Sequence, residues 1–252
     1  MADIRSFEIE HLENEDLIRL IGIFLGHVTI HYGIWFTEAS RIIGLESALE
    51  CENKIAHRHA SGAIKRLAPH FRSYNQEDIS AIFSKKPRNE LLILIRDIAK
   101  TWVAGDGLWF QAIEGKEGMA SAKNVNDSCW SIFARLESFK ILDFLGIDGN
   151  RGLDTLDKAL RLRIYSSINS HSSEWDQERN LLFRMTECRV QQARRRKGMP
   201  DYPCKSAGIR EYTEFARGIN PDIVTECVWC PPDEVPESHL CAWKFRLKLA
   251  GT

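Results

Sequence analysis

Five of the seven cysteines fall in the last third of the chain, at Cys188, Cys204, Cys227, Cys230 and Cys241. Zinc takes four tetrahedral ligands, often with two of them a pair of residues apart on a tight turn. Cys227-Val-Trp-Cys230 supplies such a pair. Cys241 returns on the next extended segment, and Cys204, behind Pro203, comes from the loop before a short helix. Four thiolates from three segments, Cys204, Cys227, Cys230 and Cys241, would pin a small sheet at both of its crossings. The competing readings are a disulfide and buried free thiols. An iron–sulfur cluster on the same four sulfurs is not excluded by the spacing. A redox dithiol fits poorly, because Pro231 and Pro232 follow where that motif opens a helix.

Cys188 stands at the junction of an extended segment and a basic helix, with Arg189, Arg194, Arg195 and Arg196 nearby. A helix N-terminus and cations lower a thiol pKa and make it nucleophilic. Cys188 is therefore the candidate catalytic residue; a metal ligand or a core cysteine are the bland readings. His27 and His31 lie one helical turn apart, with Glu38 beyond them and His57 and His59 on the next helix. They could form a second metal site, though histidines at this spacing more often serve as hydrogen-bonded core residues. Asp106 and Glu114 could line a polar spot in an apolar pocket or act as caps and ion pairs. The pocket candidates are His31, Trp35, Glu38, Asp106, Trp109 and Glu114. The run Arg194–Lys197 reads as a solvated helix end more readily than as a nucleic-acid contact. There is no glycine-rich phosphate loop and no nucleophile elbow.

The elements that must hold these residues change character along the chain. Residues 14–43, 45–68, 89–117 and 120–145 carry apolar positions at helical spacing, with Gly44 and Gly118 as breaks. Residues 33–48 resemble residues 107–122 without a gap at an offset of 74, matching Gly33, Trp35, Phe36, Gly44, Ser47 and Ala48. This pattern implies two related helical hairpins about a pseudo-twofold axis, with Trp35 and Trp109 as equivalent wedges. After about residue 155 the pattern changes to a mixture of strands and short helices. Residues 160–168 alternate and read as a strand, residues 169–179 as a long loop, and residues 180–188 as its partner. A basic helix, a second short helix and two closing strands follow. The expected fold is α+β: a helical region over 1–152 packed on a sheet-bearing region over 153–252, with a cysteine metal knot.

Composition narrows the function classes. The chain has 252 residues, 44% of them hydrophobic, and 34 basic against 35 acidic side chains. No net field draws it to nucleic acid or a membrane. The apolar stretch at 17–36 is interrupted by Arg19, His27 and His31, so it is expected as a buried helix. The first residues lack the apolar core of an export signal, which predicts a reducing cytoplasm.

Residues 203–245, "PCKSAGIREYTEFARGINPDIVTECVWCPPDEVPESHLCAWKF", resemble the end of the 4-vinyl reductase domain, a TRAPP-like α+β ligand-binding module. That resemblance implies zinc held by Cys204, Cys227, Cys230 and Cys241, with Cys227 near a glutamate position of the family and a longer Cys230–Cys241 loop. "HYGIWFTEASRIIGLESALE", "DGLWFQAIEGKEGM" and "CRVQQARRRKGMPDYPCK" together resemble a cytosolic prokaryotic family related to the L-2-amino-thiazoline-4-carboxylic acid hydrolases. That likeness implies a hydrolase-like protein acting on a C–N or C–S bond of a small heterocyclic or amino-acid-derived substrate. The alternative is a non-enzymatic zinc-bearing ligand sensor or interaction module. The expected partner is a small molecule; a second copy of the chain is allowed and not required.

Overall fold

The computed structural model describes residues 8–71, 83–148, 151–196, 198, 200–234 and 240–248. Its helices are α1 (Asn14–Ile43), α2 (Leu45–Leu67), α3 (Arg88–Leu145), α4 (Leu153–Arg161), α5 (Arg189–Arg196) and α6 (Lys205–Ile219). Its strands are β1 (Ser170–Trp175), β2 (Leu181–Glu187), β3 (Ile223–Trp229) and β4 (Cys241–Leu247). They form one antiparallel sheet in the order β1-β2-β4-β3. The fold is α+β. The chain divides into two compact units between Cys129 and Trp130, inside α3 and before the change of pattern near residue 153.

In the helical unit, two glycines set the helix boundaries. Gly44 separates α1 from α2 at φ 87°, ψ 152°. Gly118 breaks α3 at φ 82°, ψ 170°. Both conformations belong to a region that only glycine enters at low cost. Their residue numbers differ by the same 74 as the sequence repeat, and the burial pattern keeps that offset. Leu17 and Leu91, Leu20 and Leu94, Ile21 and Ile95, Trp35 and Trp109, and Ala48 and Ala122 are all 0% exposed. The Trp35 and Trp109 rings lie 6.4 Å apart and almost parallel, at 7°. Trp35 reaches Asp106, while Trp109 meets the Tyr32 ring at 5.4 Å. Asp106 and Tyr32 are equivalent in the repeat, so the two helix pairs exchange matching contacts, as a twofold axis requires.

α1 is a described helix long and apolar enough to cross a membrane by length and composition. Its inner face also buries the polar side chains of His27, His31 and Glu38.

The second unit corrects the strand expected at 160–168. Those residues end α4 and pass through turns into a 3-10 helix at Ser166–Ile168. Leu160, Leu162 and Ile164 are fully buried, and so is Arg163 between them. The apparent alternation therefore arose from a segment buried on all sides, which periodicity cannot separate from a strand. The stretch expected as a loop is β1. It is polar because it is an edge strand with one side in solvent. β4 follows its alternation at its centre, with Trp243 and Phe245 buried and Arg246 exposed, but Leu247 at its end is exposed and Ala242 on the other face is buried. α6 covers the inner face so closely that a Cβ on Gly208 would stand 2.6 Å from the Trp243 ring.

Candidate functional site

The thiols gather where β2, β3, β4 and the two short helices end or begin. Cys204 precedes α6, and its carbonyl accepts the Gly208 N–H at 2.8 Å. Cys230 follows β3, Cys241 opens β4, and Cys188 links β2 to α5. The Cys204 and Cys241 thiols are the neighbours that act most strongly on the Cys230 thiol. Cys204, then Cys241, push Cys230 up, while the Cys230 thiol pulls Cys241 down. Two N–H donors also point at sulfur: Gln191 Nε2 is 3.1 Å from Cys204 Sγ, and Trp243 Nε1 is 3.4 Å from Cys241 Sγ. All seven cysteines are free thiols. Among the described residues, no group of three or more His, Cys, Asp or Glu side chains is set out as a metal-ion shell. The Cys204 thiol instead donates to the Tyr202 carbonyl at 3.2 Å, whereas a shell needs every sulfur turned to one centre about 2.3 Å away.

Cys227 pairs with Trp243 across β3 and β4, which places it on the inner face near Cys241. Burial pushes its thiol up to about 11, and the charged neighbours acting on it include Lys205 and Asp233. Cys188 departs from the expectation of an activated thiol. Burial, and then the nearby Cys204 thiol, push it up to about 12. The arginines are spent elsewhere: Arg195 pairs with Asp201 at 2.6 Å, and Arg194 donates to the Pro200 carbonyl at 2.7 Å. Desolvation therefore outweighs the helix N-terminus.

The helical unit assembles a separate polar cluster. His31 Nε2 lies 3.1 Å from Asp106 Oδ1. Trp35 Nε1 lies 3.0 Å from His31 Nε2 and 3.1 Å from Asp106 Oδ1. With a proton on His31 Nε2, the Asp106 carboxylate accepts from both rings. The Trp102 ring covers His31 at 4.9 Å. Trp109 is stacked beside Trp35, and its buried indole N–H has no hydrogen-bond partner among the described residues. Glu38 turns instead to Arg41 at 2.6 Å and to the Ser128 hydroxyl at 2.5 Å. The Arg41 hydrogen bond holds its carboxyl below the usual range. Burial pushes the neighbouring Cys129 thiol well up, helped by the charges of Asp106 and Glu38.

The structure thus brings His31, Trp35, Asp106 and Trp109 together and sets Glu38 in a second polar group. Glu114 is half-buried and makes no hydrogen bond or ion pair among the described residues. His59 packs on Tyr32 at 4.7 Å and His27 on Phe24 at 5.9 Å. Sequence reasoning missed Arg41, Ser128, Cys129 and Gln191. Arg41 had a signal, since it stands three residues after Glu38 on one helix.

The profile of a family described as "Family of unknown function (DUF6125)" matches residues 82–247, about two thirds of the chain. No curated protein and no solved structure matches it.

Proposed function

We propose, since the chain belongs to the DUF6125 family and that family carries no assigned function, that it is a zinc-bearing protein of the cytoplasm that binds a small molecule. The observation that supports this reading is the placement of Cys204, Cys230 and Cys241 at the start of α6, the end of β3 and the start of β4, with Cys188 and Cys227 on adjoining segments. The donor set fits zinc, which takes thiolate sulfur, and the N–H groups of Gln191 and Trp243 would stabilise the charge on bound sulfur. A shell filled by four sulfurs leaves no position for water, so zinc here supplies folding energy. An iron–sulfur cluster is the alternative occupant. Elemental analysis of protein purified under reducing conditions should find about one zinc per chain and no visible absorption. Metal-free protein with every thiol titratable would end this reading, and a brown protein containing iron would replace it.

The ligand side rests on the helical unit. The matching helix pairs, read as an internal duplication, place Trp35, Trp109, His31 and Asp106 at their axis. Flat aromatic faces beside an Asp-held imidazole suit a small heterocyclic or amino-acid-derived ligand. One observation favours the hydrolase reading. A histidine oriented by a carboxylate is a general-base arrangement, suited to cleavage of a C–N or C–S bond. The raised Cys188 thiol speaks against a nucleophile at that position. His31→Ala should abolish turnover in an enzyme while Cys188→Ala leaves it. In a sensor or interaction module His31→Ala weakens ligand binding and no turnover exists to lose. No partner beyond the small molecule and a second copy of the chain is invoked, neither nucleic acid nor membrane.

A further inference from the structure

The repeat brings two polar stations to the Trp35–Trp109 stack, and one of them lacks a partner among the described residues. We propose that this second station, formed by Trp109, Tyr32, His59 and Asp106, binds the edge of a neutral cyclic amide or urea. The Trp109 indole N–H donates to the ligand's carbonyl oxygen, and the Asp106 carboxylate accepts its ring N–H. This rests on the small-molecule reading above and names where the ligand sits and which chemical edge it presents.

The first station shows what a complete one contains. The buried Trp35 indole N–H donates to Asp106 Oδ1 at 3.1 Å, and His31 Nε2 lies 3.1 Å from the same oxygen. Under the 74-residue offset Trp35 corresponds to Trp109, Asp106 to Tyr32 and His31 to Gly105. Each substitution changes the second station. Tyr32 stands where the first has a carboxylate, and its hydroxyl donates to Glu52 at 3.2 Å instead of serving the tryptophan. Gly105 stands where the first has an imidazole, and His59 of α2 comes over it. A Cβ on Gly105 would lie 3.0 Å from His59 Nε2. The His59 ring packs on Tyr32 at 4.7 Å, and Tyr32 meets Trp109 at 5.4 Å. Trp109 is 0% exposed, yet its indole N–H has no hydrogen-bond partner among the described residues. A buried donor left unmet is costly, and its repeat-mate on Trp35 is bonded.

The groups around that donor set the chemistry of what fits. Asp106 gives Oδ1 to Trp35 and His31, while its Oδ2 makes no hydrogen bond among the described residues. Asp106 and Trp109 are three residues apart on α3 and so share a face. A donor and an acceptor side by side match an amide edge, whose carbonyl and N–H offer the complementary pair. A carboxylate in this place would meet Glu52 and Asp106, so like charge favours a neutral ligand. Burial, then the charge of Arg66, hold His59 below the usual histidine range, which keeps its ring neutral. Tyr32, Glu52 and His59 are half-buried, so the station borders solvent. The Tyr32 and His59 rings supply flat faces for a planar heterocycle.

Hydantoin, a planar cyclic ureide, is the probe, and the readout is the set of indole N–H cross-peaks of the full-length protein labelled with nitrogen-15 tryptophan. Trp109→Phe assigns the Trp109 cross-peak, and the remaining tryptophan cross-peaks show that the variant is folded. Hydantoin should move the Trp109 cross-peak saturably. N-carbamoylglycine, the ring-opened acid, should bind at least about tenfold more weakly. By calorimetry, Trp109→Phe and Asp106→Asn should each lower hydantoin affinity at least about tenfold. Asp106→Asn keeps the shape and sets an amide N–H where the ligand's N–H must be accepted. Movement of the Trp35 cross-peak with none at Trp109, or affinity unchanged in both variants, overturns the assignment and leaves the small-molecule reading standing. Equal binding of the ring-opened acid overturns the neutral edge. No movement at any tryptophan overturns the whole proposal, while the small-molecule reading is still decided by His31→Ala.

Discussion

Arg163 is fully buried and carries a charge that the core must answer. Glu137 lies 2.7 Å from it and Glu211 2.6 Å, the Tyr165 hydroxyl is at 2.5 Å, and the Tyr165 and Phe215 rings flank the guanidinium at 4.4 and 4.5 Å. Removing one partner of such a network leaves buried carboxylates uncompensated, which costs far more than the network contributes as a whole. Arg163→Met should therefore lower stability by about 3–5 kcal/mol in a urea titration; a loss under about 1 kcal/mol would mean that the carboxylates find other partners. A second prediction concerns Tyr32, whose hydroxyl donates to Glu52 at 3.2 Å. Burial, with the charge of Glu52, pushes it up to about 12 from 10.0. As pH rises through that window the unfolded chain gives up this proton first, so stability falls with rising pH. Part of that fall should vanish in Tyr32→Phe, measured by denaturant midpoints from pH 9 to 12. If both proteins lose stability equally, Tyr32 titrates normally.

At the level of elements, the two helix pairs invite paired experiments. Gly44→Ala and Gly118→Ala each force a side chain into backbone space reserved for glycine, at a cost of about 1–3 kcal/mol apiece. Equal losses in thermal unfolding fit equivalent hinges; a silent Gly118→Ala would mean that α3 straightens there at no cost. The tryptophans should part company. Either Trp→Ala opens a cavity worth about 3–5 kcal/mol. Trp35→Phe also strips a donor from Asp106, so it should cost about 1–3 kcal/mol more than Trp109→Phe, whose indole N–H has no hydrogen-bond partner among the described residues. The helix boundaries were legible because glycine breaks and an ungapped repeat are local signals. The strand order was less so. A polar edge strand such as β1 looks like a loop, and a segment buried on all sides such as 160–164 looks like a strand. The His31–Asp106 contact joins residues 75 apart on different helices, and only the packed repeat reveals it. The thiols were visible as a group, but the Gln191 hydrogen bond to Cys204 is one that no spacing encodes.

For the whole molecule, near-zero net charge leaves solubility and association to local surfaces. On the zinc reading proposed above, the two units should answer differently to metal removal. Structural zinc contributes folding energy of order 10 kcal/mol. Chelation should therefore melt the sheet, read as loss of near-ultraviolet signal from Trp243, while α1, α2 and the first part of α3 keep their far-ultraviolet helicity. Loss of both signals in one transition would mean that the units fold as one cooperative block. The contact of Trp35 with its own repeat-mate has a further implication. On the duplication reading proposed above, a residue that touches its equivalent sits on a symmetry axis, and that axis is where two identical chains would once have met. A gene fragment encoding a single helix pair would carry a sticky apolar face shaped for a copy of itself. Two such fragments would rebuild the axis between separate molecules, with Trp35 stacked on Trp35. The fused chain could then let its halves drift apart in sequence, one keeping Tyr32 where the other has Asp106, which two identical subunits cannot do.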